Sequence, residues 1–172
     1  MNPDRLIMET AIFKEEQRFT QKWVWFLLAG SAAVAWWSFI QQVILGSPFG
    51  NRPSPDFVIW IIWVLFGLGM PWLFYSLKLV TQVRSDGLVI RFQPFRSRTI
   101  RFSDIKSFYV RQYRPLREYG GWGIRWSAKN GRAYNVSGNM GVQLEMVDGK
   151  RILIGSLVPE RLAEALGNAM GK

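Results

Sequence analysis

The residue types that most often perform chemistry are scarce in this chain. Among its 172 residues there is no His and no Cys. Imidazole bases, thiol nucleophiles, disulfides and the usual imidazole or thiolate metal sites are therefore excluded. The acids that remain in the last ninety residues are Asp86, Asp104, Glu118, Glu145, Asp148, Glu160 and Glu164. Asp86 and Asp148 belong to turn dipeptides, and Glu160 suits the first turn of a helix, where it favours the dipole. No two of them have a spacing that argues for a shared acid/base site. The run Gly120-Gly121-Trp122-Gly123 is glycine-rich, but it precedes a strand rather than a helix and so lacks the phosphate-cradling context. The expectation is a protein that is not an enzyme, with no metal and no ligated cofactor.

Charge is the second chemical signal. The chain holds 22 Lys and Arg against 12 Asp and Glu, a formal net charge of +10. Residues 83–172 account for 16 basic residues and seven acids. Arg91, Arg96, Arg98 and Arg101 flank Pro94-Phe95, and Lys106, Arg111, Arg114 and Arg117 follow. These eight are the candidate binding set for anionic phospholipid or an acidic partner. Such residues are worth ~1 kcal/mol each close to an anionic membrane, and less with salt. The aromatics among them, Phe92, Phe95, Phe102, Phe108 and Tyr109, alternate at strand period and read as core. Nucleic acid is not an expected partner.

Two stretches must hold this chemistry in place. Residues 23–45 and 57–77 carry no charge. As helices they span roughly 34 and 31 Å at ~1.5 Å per residue, enough for a hydrocarbon core ~30 Å thick. Residues 46–56 contain three Pro and two Gly and permit a tight reversal. The reading is an antiparallel transmembrane hairpin. Lys14, Arg18 and Lys22 precede it, Lys78, Arg84 and Arg91 follow it, and its loop carries only Arg52. The positive-inside rule then places both termini in the cytoplasm and the loop outside. Gln41 and Gln42 reach toward the interface. Trp23, Trp25, Trp60, Trp63 and Trp72 sit mostly toward the span ends, as an aromatic belt would place them, whereas Trp36 and Trp37 lie deeper and need partners for their indole N–H groups. Gly67, Gly69 and Pro71 bend the second helix or admit a neighbour. Trp36, Trp37, Trp60, Trp63, Gly67, Gly69 and Pro71 form the candidate interface. Residues 1–22 read as a separate unit, an interfacial helix opened by Asn2-Pro3.

The remaining residues, 83–172, read as a small β-rich domain. Asp86-Gly87, Asn130-Gly131 and Asp148-Gly149 each suit a type I′ hairpin turn. Between them lie seven β-favouring runs, at 88–92, 99–102, 107–113, 123–126, 132–136, 142–146 and 151–154. Pro159 opens a helix in which Leu162, Leu166 and Met170 make one apolar stripe. The segments Gly120-Gly121-Trp122-Gly123-Ile124-Arg125, Arg132-Ala133-Tyr134-Asn135-Val136-Ser137-Gly138, Gly141-Val142-Gln143-Leu144-Glu145 and Gly149-Lys150-Arg151-Ile152-Leu153-Ile154-Gly155-Ser156 resemble the bacterial pleckstrin-homology-like (PH-like) membrane proteins of uncharacterised function. That resemblance implies an α+β membrane protein, with a two-helix transmembrane hairpin followed by a cytoplasmic seven-stranded β-barrel and a C-terminal capping helix. It implies residence in the bacterial inner membrane and no catalytic residues. Arg91 and Arg96-Ser97-Arg98 loosely resemble the basic strand–loop–strand with which some PH domains hold phosphoinositides.

Two functions follow as expectations. One is an accessory subunit whose hairpin packs on a larger membrane complex, such as a photosynthetic reaction-centre–antenna or respiratory assembly. Trp36, Trp37 and Trp63 would then contact lipid, carotenoid or chlorophyll-type pigment without ligating it. The alternative is a stand-alone membrane-tethered regulator binding anionic lipid or an acidic protein.

Overall fold

The computed structural model describes residues 11–51 and 54–171. The chain forms two units: residues 1–20 together with 77–172, and residues 21–76.

The second unit is the apolar hairpin. Helix α1 (Lys22–Ile44) and helix α2 (Asp56–Ser76) are both long and apolar enough to cross a membrane. Their ends fall within a residue of the expected ones. Each contains a π-helical stretch, Ile40–Ile44 and Trp63–Gly69. The second stretch runs up to Pro71, which has no N–H to give; Met70 N–H instead reaches the Leu65 carbonyl, five residues back. This wider turn is how the Gly67-Leu68-Gly69 segment accommodates the proline. Gln42 does not simply reach outward: its Nε2 donates to the Ser54 carbonyl at 2.7 Å and to Asp56 Oδ1 at 2.8 Å, closing the loop.

The first unit holds nine strands among the described residues, in two sheets. The first sheet is a meander in the order β1 (Phe13–Arg18), β2 (Lys78–Val83), β3 (Leu88–Gln93), β4 (Arg96–Ile100), antiparallel throughout. The second has the order β5 (Ile105–Gln112), β8 (Met140–Met146), β9 (Arg151–Gly155), β7 (Gly131–Asn135), β6 (Gly123–Ser127). In it β7 and β9 run parallel. The expected seven-stranded closed barrel is therefore corrected to two open sheets, leaving β4 as one edge of the first and β6 as one edge of the second. Helix α3 (Pro115–Tyr119) begins on proline and ends on Gly120, whose φ of +71° lets its N–H and that of Gly121 bond back to Leu116 and Pro115. Helix α4 (Pro159–Met170) lies where the apolar stripe required it, with Leu162 and Leu166 fully buried.

The interfacial helix expected over residues 1–22 is not what forms at its described end. Residues 13–18 are strand β1, paired with β2 from Phe13–Val83 to Arg18–Lys78; Asn2-Pro3 lies outside the described residues. Phe13, Glu15 and Gln17 point inward and Lys14, Glu16 and Arg18 outward. Glu15 accepts from Ser156 Oγ at 2.6 Å and from Leu157 N–H at 2.7 Å, and Gln17 Nε2 donates to the Gly155 carbonyl at 2.7 Å. These buried bonds tie the strand before the hairpin to the end of β9. The type I′ expectation also fails. That turn needs positive φ at two residues, and among the described residues only glycines have it. Asp148-Gly149 instead turns with one left-handed residue, Gly149, whose N–H reaches the Met146 carbonyl at 2.9 Å.

Candidate functional site

The eight basic residues singled out by type are placed by strand parity, which divides them. Arg96 and Arg98 lie opposite Phe92 and Ile90, on the face that carries the buried core. Arg91 lies opposite Ser97, on the other face of the same sheet. Arg91 and Arg96 meet only at the β3–β4 turn, around Pro94 and Phe95. Arg101 pairs with Asp104 at 3.4 Å, and Lys106 sits at the register shift near the start of β5. Arg111 is committed internally: it donates to Glu118 at 2.8 Å, Gln143 at 3.0 Å and the Tyr119 hydroxyl at 3.2 Å. Burial works against its charge, but Glu118 and Tyr119 outweigh that and hold its pKa above the ordinary range. Arg114 and Arg117 are exposed around α3. The eight therefore fall in separate patches.

The acids are mostly engaged as well. Glu118 holds Arg111, Glu145 accepts from Ser107 Oγ, and Asp148 holds Lys150 at 2.6 Å. Beside them, burial pushes the Tyr113 hydroxyl up to about 12. That group is kept neutral as part of a small core with Tyr119, Ala133 and Leu153.

Sequence reasoning missed a cleft of 680 Å³ lined by Arg98, Trp126, Lys129, Arg132, Lys150 and Arg151, with Ile152 among its walls. Register explains it. Trp126 lies opposite Arg132, which neighbours Ile152, so these three share a face of the second sheet. Arg98 comes from β4, the edge of the first. The cleft therefore lies where the two sheets fail to close on each other. Its basic residues were visible as types, but the register alone sets Arg132 beside Trp126 and Ile152 and turns the Arg151 side chain to the other face.

Residues 7–172 match the model of a family of unknown function, DUF6141. The chain belongs to that family. No curated protein and no solved structure matches it.

In this DUF6141 chain the deep aromatics of the hairpin face each other. Phe39 and Trp63 stack at 4.4 Å, Trp60 stands edge-on to Phe39 at 4.7 Å, and Trp36 stands edge-on to Trp63 at 5.2 Å. Trp36 Nε1 donates to the Gly67 carbonyl at 3.3 Å. A Cβ at Gly67 would come within 3.0 Å of Trp63 and 3.4 Å of the Trp36 indole nitrogen, so this residue is glycine to admit the aromatics. Gly69 is pressed similarly against the Val64 carbonyl. Trp36, Trp60, Trp63 and Gly67 thus touch one another within the hairpin, while Trp36 and Trp60 stay 40% and 46% exposed and the buried Trp63 Nε1 has no hydrogen-bond partner among the described residues. Trp37 is different and remains 66% exposed. Each aromatic pair contributes ~0.5–1.5 kcal/mol beyond its area. Trp63→Leu is therefore expected to weaken the helix pair by about 2 kcal/mol in a detergent unfolding titration. Trp37→Leu should leave that titration unchanged.

Proposed function

We propose that this chain is a non-catalytic, two-span membrane protein whose flanking segments fold as one tethered domain and bind an anionic partner at the membrane face. The β1–β2 pairing carries this reading. Arg18 and Lys78 are register partners, and they stand just outside the two apolar helices. Two segments of one sheet occupy one compartment, so a hairpin between them crosses an even number of times. The basic flanks make that compartment the cytoplasm. An open β meander, a second sheet and a C-terminal helix support the PH-like resemblance. Exposed cations on the domain supply attraction for anionic phospholipid or an acidic protein.

The orientation is tested with single cysteines at Ser54, in the hairpin loop, and Ser85, in the exposed β2–β3 turn. An impermeant maleimide added to intact cells should label the first and not the second. Labelling at Ser85 would reverse the topology.

The accessory-subunit reading retains one supporting observation. Phe26, Leu27, Gly30, Val34, Ala35 and Phe66 line an apolar groove on the hairpin, and a Cβ at Gly30 would meet nothing within 4 Å. This is a shape that an apolar helix of a larger membrane complex would fill. Migration in mild detergent separates the two readings. The tethered-domain reading expects the chain to run alone, and the accessory reading expects it to run at fixed stoichiometry with a larger complex.

A further inference from the structure

The cleft between the sheets gathers positive charge from three separate segments. Arg98 comes from β4, Lys129 and Arg132 from the β6–β7 turn and its exit, and Lys150 and Arg151 from the β8–β9 turn. No acid lines it. The neighbouring Asp148 holds Lys150 at 2.6 Å and attracts Arg98. The side chains of Lys129 and Arg132 make no hydrogen bond or ion pair with any described residue, and Arg151 stands opposite Glu145 in the β8–β9 ladder. Like charges brought together without compensation repel, and the cost is offset only when an anion enters.

Backbone geometry enforces this convergence. Gly131 has φ +76°, and a Cβ there would collide with the Arg151 carbonyl. Only glycine allows the β6–β7 turn to lie this close to the start of β9, which seats Lys129 and Arg132 against Ile152, while the Arg151 side chain takes the opposite face of the sheet beside Glu145. The cleft's volume of 680 Å³ falls within the range of small-ligand sites. Trp126, 70% exposed, adds a flat apolar face to the cationic walls.

We propose that this cleft is a binding site for a phosphomonoester-bearing ligand, presented either by a lipid headgroup or by a free phosphorylated small molecule. The proposal deepens the anionic-partner reading above and rests on it for its biological setting. The chemistry follows from the donors. Guanidinium groups offer paired N–H donors that match phosphate oxygens, and a phosphomonoester offers up to two charges and three acceptor oxygens. A single carboxylate would leave most of these cations unanswered. Trp126 would cover the ring or glycerol that carries the phosphate.

The test uses the full chain in nanodiscs of neutral phosphatidylcholine, titrated calorimetrically with two soluble probes. Fructose 1,6-bisphosphate represents a free phosphorylated molecule, and short-chain phosphatidic acid represents a lipid headgroup. One saturable site per chain is expected for at least one probe, and the tighter probe names the source. Lys129→Gln with Arg132→Gln should weaken binding about tenfold or more, since two charge-assisted pairs are lost. Arg132→Lys in the Lys129→Gln background should recover part of that loss. Lys14→Gln with Arg161→Gln removes the same charge at exposed positions outside the cleft and should change affinity less than about twofold. Arg98→Gln, on the opposite wall, is an independent variant should the first pair fail to fold. Equal weakening by the cleft and control pairs would show only diffuse attraction and overturn the site, as would the absence of saturable binding by either probe. If the chain co-migrates with a larger complex yet binds the probe in this pattern, the site stands and the tethered-domain reading falls.

Discussion

A chain in which residues 21–76 are replaced by a short polar turn is expected to fold as a soluble, β-rich monomer, whereas removing residues 1–20 abolishes that fold. The paired ends make the first result possible. Arg18 and Lys78 are already neighbours across the ladder, so joining β1 to β2 needs only an ordinary hairpin connection. The second result follows from what β1 supplies. Its removal would expose Leu79 and Val83, now fully buried. It would also strip partners from Ser156, the Leu157 N–H and the Gly155 carbonyl. Buried groups left unpaired cost ~1–3 kcal/mol each, and total stability for a domain this size is ~5–15 kcal/mol. Circular dichroism and urea titration of the two proteins decide the matter. A cooperative melt without residues 1–20, at the midpoint of the excised form, would show that β1 is dispensable.

Glu15→Ala is expected to destabilise the same domain by about 3 kcal/mol, the largest effect of any single charged side chain in the first sheet. The carboxylate is buried, and its two oxygens answer Ser156 Oγ and Leu157 N–H. Alanine leaves both donors facing protein rather than water. Glu15→Gln keeps one acceptor and should lose about half as much. Glu16→Ala is the control on the outer face. Burial raises the Glu16 pKa, but Lys78 and Arg18 outweigh that and hold the carboxyl below its ordinary value of 4.5. Its small contribution is present above that value and fades as pH falls through the lower folded one. Exposed pairs of this kind are worth ~0–1 kcal/mol. Equal midpoints for the Glu15 and Glu16 variants in urea would contradict the anchoring role given to β1.

The helices, the turns and the later strand runs were legible because each declares itself locally, by apolar length, by glycine after Asp or Asn, or by β-branched runs. Strand β1 was not. Its inward positions are Phe13, Glu15 and Gln17, so the usual alternation of apolar and polar residues is absent, and Glu, Gln and Lys all favour helix. Only partners more than 130 residues away explain why a glutamate points inward. Strand β2 was hidden by its position, directly after an apolar run. Parity spreads the candidate binding set over separate patches, which the sequence did not show. Arg91, Arg96 and Arg98 are close in sequence, but a strand sends odd and even positions to opposite faces and a turn separates them. The Trp residues were recognised as unusual, yet sequence cannot tell an aromatic that greets a partner from one that greets the other helix.

The pairing of β1 with β2 also sets an order of events during synthesis. Strand β1 leaves the ribosome first and has no partner until Lys78 follows, about 60 residues later. At ~5–20 residues per second that is roughly 3–12 s, during which both apolar helices are made. The first sheet can therefore begin to close only after the hairpin exists, and the β9 end that anchors Glu15 and Gln17 appears later still. If the helices cross a membrane as proposed above, a chain that inserted only one of them would leave β1 and β2 in different compartments, without a sheet. On that reading the folded domain reports that the two helices have crossed together, and the unpaired strands of a half-inserted chain are open to proteases.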